Sequence, residues 1–177
     1  MQFLAPIISI VVGFLSFVLV LRTWMQFCQV SAYLPLSQSL LRLTAPMVNL
    51  VSKFIPTVKN INFAALLIAL ALLAVEKGVL GLPLTMAVLV GLLGIIKMFG
   101  QILFFTTLIR ALMSWVTRGD HPLDEVIAQI TEPVLGIIRK ILPRTGMLDF
   151  SVMVLGFGLL LLNNLFYSVF GAFWAVA

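Results

Sequence analysis

The sequence is short of charge: only 10% of its 177 residues are Asp, Glu, Lys or Arg, while 62% are hydrophobic. A soluble domain of this size needs a charged exterior of roughly a quarter of its residues. A water-soluble globule is therefore excluded. Cysteine is almost missing, and the lone Cys28 permits no intramolecular disulfide, no paired-cysteine redox motif and no covalent haem site. Histidine is as scarce, since His121 alone cannot supply the ligand set of a zinc site. No nucleophile elbow, Walker loop, HExxH helix or glycine-rich nucleotide turn occurs. The residues thus point to no catalytic group, no cofactor and no metal. The net charge of +5 is spread over the ends of apolar runs with no interleaved aromatics, which excludes nucleic acid as a partner.

What is abundant is uninterrupted apolar sequence. Leu4–Leu21, Ile61–Leu82, Leu84 to about Val116, and Phe150–Ala177 each approach or exceed the ~20 residues of a bilayer-crossing helix. The first run lacks a charged leader and continues into Arg22 without a small-residue cleavage site, so it reads as a retained span. The run from Leu84 exceeds one upright span: either it is a single long, tilted helix, or Leu84–Leu93 forms a separate interfacial or re-entrant piece before Gly94, and the second reading is preferred.

The chain also matches itself. A shift of 87 places Pro35, Leu36, Thr44, Pro46, Lys53, Pro56 and Phe63 on Pro122, Leu123, Thr131, Pro133, Lys140, Pro143 and Phe150. A shift of 88 places Arg22-Thr-Trp-Met25 on Arg110-Ala-Leu-Met113. Between the spans of each copy, Leu36, Leu40, Leu43, Met47, Leu50 and Phe54 recur as Leu123, Ile127, Ile130, Val134, Ile137 and Ile141, one face of a helix. The opposite face carries Ser37, Gln38, Arg42, Asn49 and Lys53, or Asp124, Glu125, Gln129, Arg139 and Lys140. Thr44-Ala-Pro46 and Thr131-Glu-Pro133 read as an N-cap and first turn, predicting a short helix, a kink and a longer helix. Between two spans such a stripe suits a helix lying among lipid headgroups. The fold expected is all-α, with four transmembrane helices in two tandem units, residues 1–88 and 89–177.

Arg22, Arg42, Lys53 and Lys59 fall in the first inter-span connection, and Arg110, Arg118, Arg139, Lys140 and Arg144 in the second. The positive-inside rule then puts both amphipathic segments in the cytoplasm and both termini outside it. Polar residues interrupt the spans on that outer side. Asn163 and Asn164 map by the 87-residue shift onto Glu76 and Lys77, while Lys97 lies eighteen residues before Trp115, about 27 Å up a helix. Ionisable groups so placed need partners. The pairing expected is Glu76 with Lys97, because neighbouring helix residues such as Lys77 point about 100° apart. Arg110 is expected to pair with Glu132 or Asp149. His121, in Asp120-His-Pro122, reads as a turn residue.

The run Pro133-Val-Leu-Gly-Ile-Ile-Arg-Lys-Ile-Leu-Pro143, followed by Gly146-Met-Leu-Asp-Phe-Ser151, resembles the signature of the YggT (YlmG-like) family of bacterial membrane proteins. Pro46 to Phe63 resembles it more weakly, with Lys59 and Asn62 where the second copy has Gly146 and Asp149. The resemblance carries the family motif onto Pro133, Arg139, Pro143, Gly146, Asp149, Phe150 and Ser151, with Arg110 and its cognate Arg22 at the span ends. It implies a multi-pass inner-membrane protein without established catalysis, associated with tolerance of osmotic stress. Relatives in Gram-positive bacteria are encoded beside a division protein, and plastid relatives are linked to nucleoid distribution and to haem attachment on a cytochrome b. The expected function is a non-enzymatic membrane protein whose amphipathic helices engage anionic lipid headgroups or a membrane partner. Its rivals are a small transporter using a polar layer around Glu76, and an assembly factor for a membrane cytochrome.

Overall fold

The computed structural model describes residues 4–116, 121–141 and 150–177, and among them every regular element is a helix. In chain order these are α1 (Leu4–Phe27), α2 (Pro35–Val51), α3 (Phe63–Val79), α4 (Leu84–Val116), α5 (Pro122–Ile141), α6 (Phe150–Phe170) and α7 (Ala172–Val176). Three stretches are long and apolar enough to cross a membrane: Ala5–Phe27, Leu84–Ser114 and Phe150–Phe170. The chain is a membrane protein. α3, with 17 residues or about 25 Å, is shorter than the expected Ile61–Leu82.

The helix ends follow local chemistry. Gln29 turns left-handed (φ 55°) and closes α1 with Gln29 N–H to Gln26 O and Val30 N–H to Met25 O. Asn62 caps α3 by accepting the Ala65 N–H at 3.0 Å. Gly81 (φ 98°) ends α3 through the same pair of bonds, to Gly78 O and Lys77 O, and Pro83 follows.

α3 lies between α1 and α4. Ala64, Ala65 and Ala69 of α3 are buried against Val18, Leu19 and Val20 of α1 and Ile102 and Leu103 of α4, and Leu40, Val48, Val126 and Ile130 close the same core from α2 and α5. Small residues let the backbones approach, which is how helices gain packing where lipid is the solvent. Gly91 and Gly94 do this for α4. A Cβ on Gly91 would stand 3.1 Å from Leu70 Cδ1, and one on Gly94 3.3 Å from Leu73 Cδ1. The separate Leu84–Leu93 piece expected from length is therefore not formed. These glycines seat a single 33-residue helix of about 50 Å on its neighbour.

Two further expectations are corrected. Pro46 and Pro133 do not start new helices, for α2 and α5 run through them. Thr44 and Thr131 are not caps. Each hydroxyl donates to the carbonyl four residues back, Leu40 O at 2.6 Å and Ile127 O at 2.7 Å. Phe150–Ala177 is not one span either: Gly171 (φ 51°) turns the chain into α7, and Trp174 stacks back on Phe166 at 4.6 Å.

The stripe of α2 is rotated from the sequence reading. Ser37, Leu40, Thr44 and Val48 face the core, while Leu36, Leu43, Leu50 and Phe54 are exposed. Ser37, assigned to the polar face, is buried. In α5, Val126, Ile127, Ile130, Thr131 and Leu135 are buried, whereas Leu123, Ile137 and Ile141 are exposed.

Candidate functional site

The arginines that end α1's span and lie near the end of α4 hold α2 and α5. Arg22 Nη1 donates to Thr44 Oγ1 at 2.6 Å, and Arg110 Nη1 donates to Thr131 Oγ1 at 2.6 Å. Each threonine passes the hydroxyl proton to the carbonyl one turn back, so its oxygen is free to accept from the guanidinium. Each pair joins residues that the 87- and 88-residue shifts had brought into register. Thr44 and Thr131 were marked in the sequence by their prolines, but as caps. Their role as arginine acceptors was missed.

The second pair extends further. Arg110 Nη1 reaches Glu132 Oε2 at 3.3 Å, the partner expected, and Arg139 Nη1 meets the same oxygen at 3.1 Å. Glu132 is exposed, so each ion pair contributes at most about 1 kcal/mol. Ala45 stands where Glu132 would fall in the first half, and among the described residues Arg22 meets no carboxylate.

Ile130 O receives two contacts from the end of α1 and the residue that follows it. Trp24 Nε1 donates to Ile130 O at 3.1 Å, and Cys28 Sγ lies 3.7 Å from the same oxygen. A carbonyl oxygen has two lone pairs, so Ile130 O can take the indole N–H alongside a helical bond. Nothing in the sequence marked this contact, since it joins residues 106 apart.

At the other ends of the spans, the expected polar cluster is not assembled. Glu76 is buried, and its Oε1 accepts from Ser9 Oγ at 2.6 Å and meets Lys77 Nζ at 3.6 Å. The expected Glu76–Lys97 pair is absent. A lysine stem is long enough to swing back across the 100° to its neighbour, and α1 supplies the hydroxyl. Lys97 Nζ instead donates to Trp174 O (3.0 Å) and Ala177 O (3.4 Å) and stands 5.7 Å from the Trp174 ring centroid. Asn163 Oδ1 accepts from Trp174 Nε1 at 3.0 Å, and Asn164 is exposed on α6. Glu76 and Lys77 form one group on α3, and Lys97 and Asn163 another around Trp174.

The remaining motif positions divide likewise. Phe150 is exposed and Ser151 buried at the start of α6, while Pro143, Gly146 and Asp149 lie outside the described residues. His121 does more than fill a turn: its Nδ1 accepts the Leu123 N–H at 3.2 Å while Asp124 Oδ2 accepts the His121 N–H at 3.1 Å, a reciprocal cap for α5.

The CCB3/YggT family model matches residues 1–83 and again residues 89–170. The chain belongs to this family. An uncharacterized protein of Haemophilus influenzae is 37% identical over 175 residues, covering 98% of this chain and 96% of that protein. Escherichia coli K12 YggT, also described as uncharacterized, is 35% identical over 166 residues, 92% of this chain and 88% of that protein. A Vibrio alginolyticus protein named for its position in the proC 3' region is 36% identical, covering 98% of both chains. No solved structure matches the YggT-family chain described here.

Proposed function

We propose that this YggT-family protein is a non-enzymatic inner-membrane protein of four spans. In this reading two tandem units hold a pair of amphipathic helices at the cytoplasmic leaflet, in the service of envelope and osmotic-stress homeostasis. α3 is the fourth span, a short one whose Glu76 and Lys77 approach the outer surface. The observation that carries the reading is the twin Arg–Thr bond, 2.6 Å in each half, which ties an amphipathic helix to the preceding span. With their inner faces so held, α2 and α5 leave Leu43, Leu50, Ile137 and Ile141 exposed beside Arg42, Asn49 and Lys140. Apolar residues next to basic ones suit the boundary between acyl chains and anionic headgroups. The double match of the family model supports the tandem arrangement.

Single cysteines at Asn49 and Leu50 test this. In inside-out vesicles an impermeant maleimide labels position 49 and spares position 50, and in right-side-out vesicles it labels neither. Equal labelling of both positions, or labelling of Asn49→Cys from the outside, defeats the reading.

The transport reading has one observation in its favour, the buried Glu76 carboxylate between Ser9 and Lys77. It requires that the purified protein pass ions across liposomes and that Glu76→Gln abolish the flux with the fold intact. A structural Glu76 gives no flux in either protein and a lower melting temperature in the variant.

A further inference from the structure

Beside Arg22 lies a cavity of about 220 Å³ lined by Arg22, Met25, Gln26, Ser37, Leu40 and Leu41, among others. Several features of its wall have no counterpart charge or hydrogen bond. The Arg22 Nε is buried with no partner, and so is the hydroxyl of Ser37, a residue 6% exposed. Ser37 sits in the first turn of α2, ahead of the first helical bond, Gln38 N–H to Leu34 O. Leu34 supplies no side-chain cap. Uncapped first-turn amides and the positive end of the helix dipole attract anions.

The second half shows what is missing. There the matching Arg110 is met by Glu132, directly after Thr131, whereas Ala45 follows Thr44. Among the described residues, Arg22 is a partly buried cation that bonds one neutral hydroxyl, that of Thr44. A buried charge needs an opposite one. The apolar walls formed by Met25, Leu40 and Leu41 suit a ligand with an apolar part.

We propose that this cavity binds a phosphate-type oxyanion, held by the Arg22 guanidinium, the Ser37 hydroxyl and the first-turn amides of α2, a counter-charge for Arg22 as Glu132 is for Arg110. The ligand is the phosphate of an anionic phospholipid or a free phosphate. The lipid form rests on α2 lying at the leaflet, and the anion site itself does not.

The test uses the full chain purified in a neutral detergent, with three probes: phosphatidylglycerol, a diacylglycerol of the same chains, and inorganic phosphate. Bound probe is read by native mass spectrometry and by the shift in melting temperature. Phosphatidylglycerol should bind and raise the melting temperature, and diacylglycerol should not. Ala45→Glu supplies the missing carboxylate from within, so it should weaken phosphatidylglycerol binding about tenfold or more while melting no lower than the parent without ligand. Arg22→Gln should weaken binding at least as much, and Lys59→Asn should leave it unchanged. If inorganic phosphate binds with the same dependence on Ala45→Glu and the lipid does not, the ligand is the free anion. In that case the leaflet placement is judged by the labelling at Asn49 and Leu50, and the site stands. Equal binding by the parent, Ala45→Glu and Arg22→Gln, or equal binding of diacylglycerol and phosphatidylglycerol with no binding of phosphate, overturns the proposal.

Discussion

Thr44 and Thr131 each use one hydroxyl twice, giving its proton to a backbone carbonyl and its lone pair to an arginine. Valine has nearly the shape of threonine but neither function. Thr131 is fully buried, so Thr131→Val leaves Arg110 without its shortest bond and should cost about 1.5–3 kcal/mol, the range for a hydrogen bond to a charged group. Thr131→Ser should recover most of that. Thermal melting of the purified variants checks both. Cys28 gives a second residue-scale outcome. Burial pushes its thiol from 9.0 up to about 12, so the reactive thiolate is scarce at neutral pH. At pH 8 its alkylation should run at least about tenfold slower than that of a free thiol. The folded protein keeps this proton after the unfolded chain has lost it, so Cys28's contribution to stability falls as pH rises from 9 toward 12. Following alkylation against pH, in folded and denatured protein, measures the difference.

Among the elements, α4 shows how far a sequence can be read. The apolar runs announced α1, α3, α4 and α6, because composition acts locally. The continuity of α4 was not legible. Its length argued for a break near Gly94, and only the seating of Gly91 and Gly94 on Leu70 and Leu73 shows those glycines as packing surface. Pro46 and Pro133 misled in the same way, since the arginine bonds that steady their helices come from another element. Lys97 was expected at the depth of Glu76 and paired with it, but the turn at Gly171 brings Trp174 O and Ala177 O to it instead. Glycines on α4 should therefore differ by position. Gly91→Val forces a side chain against Leu70 and the Ala74 backbone, and should cost about 1–3 kcal/mol. Gly100→Ala meets nothing within 4 Å and should be neutral or stabilising by up to about 1 kcal/mol. Melting temperatures in one detergent rank the two. Similar losses at both sites would mean that α4 is not seated on α3 as described.

For the molecule as a whole, the bond from Trp24 to Ile130 joins α1 to α5. The indole also packs edge-on against Phe99 of α4, with ring centroids 4.5 Å apart. Trp24→Phe keeps an aromatic ring and removes the donor, and should cost about 1 kcal/mol. It should also loosen the packing around Cys28, which approaches the same oxygen, and so speed alkylation of that thiol. A drop in stability with Cys28 reactivity unchanged would show that the indole bond acts alone. This contact has a consequence in time. Trp24 leaves the ribosome 106 residues ahead of its acceptor, a delay of about 5–20 s at ordinary synthesis rates. Throughout that interval α1 sits in the bilayer with an indole N–H that its own half does not satisfy. The nascent chain is thus an incomplete structure that closes only when α5 arrives.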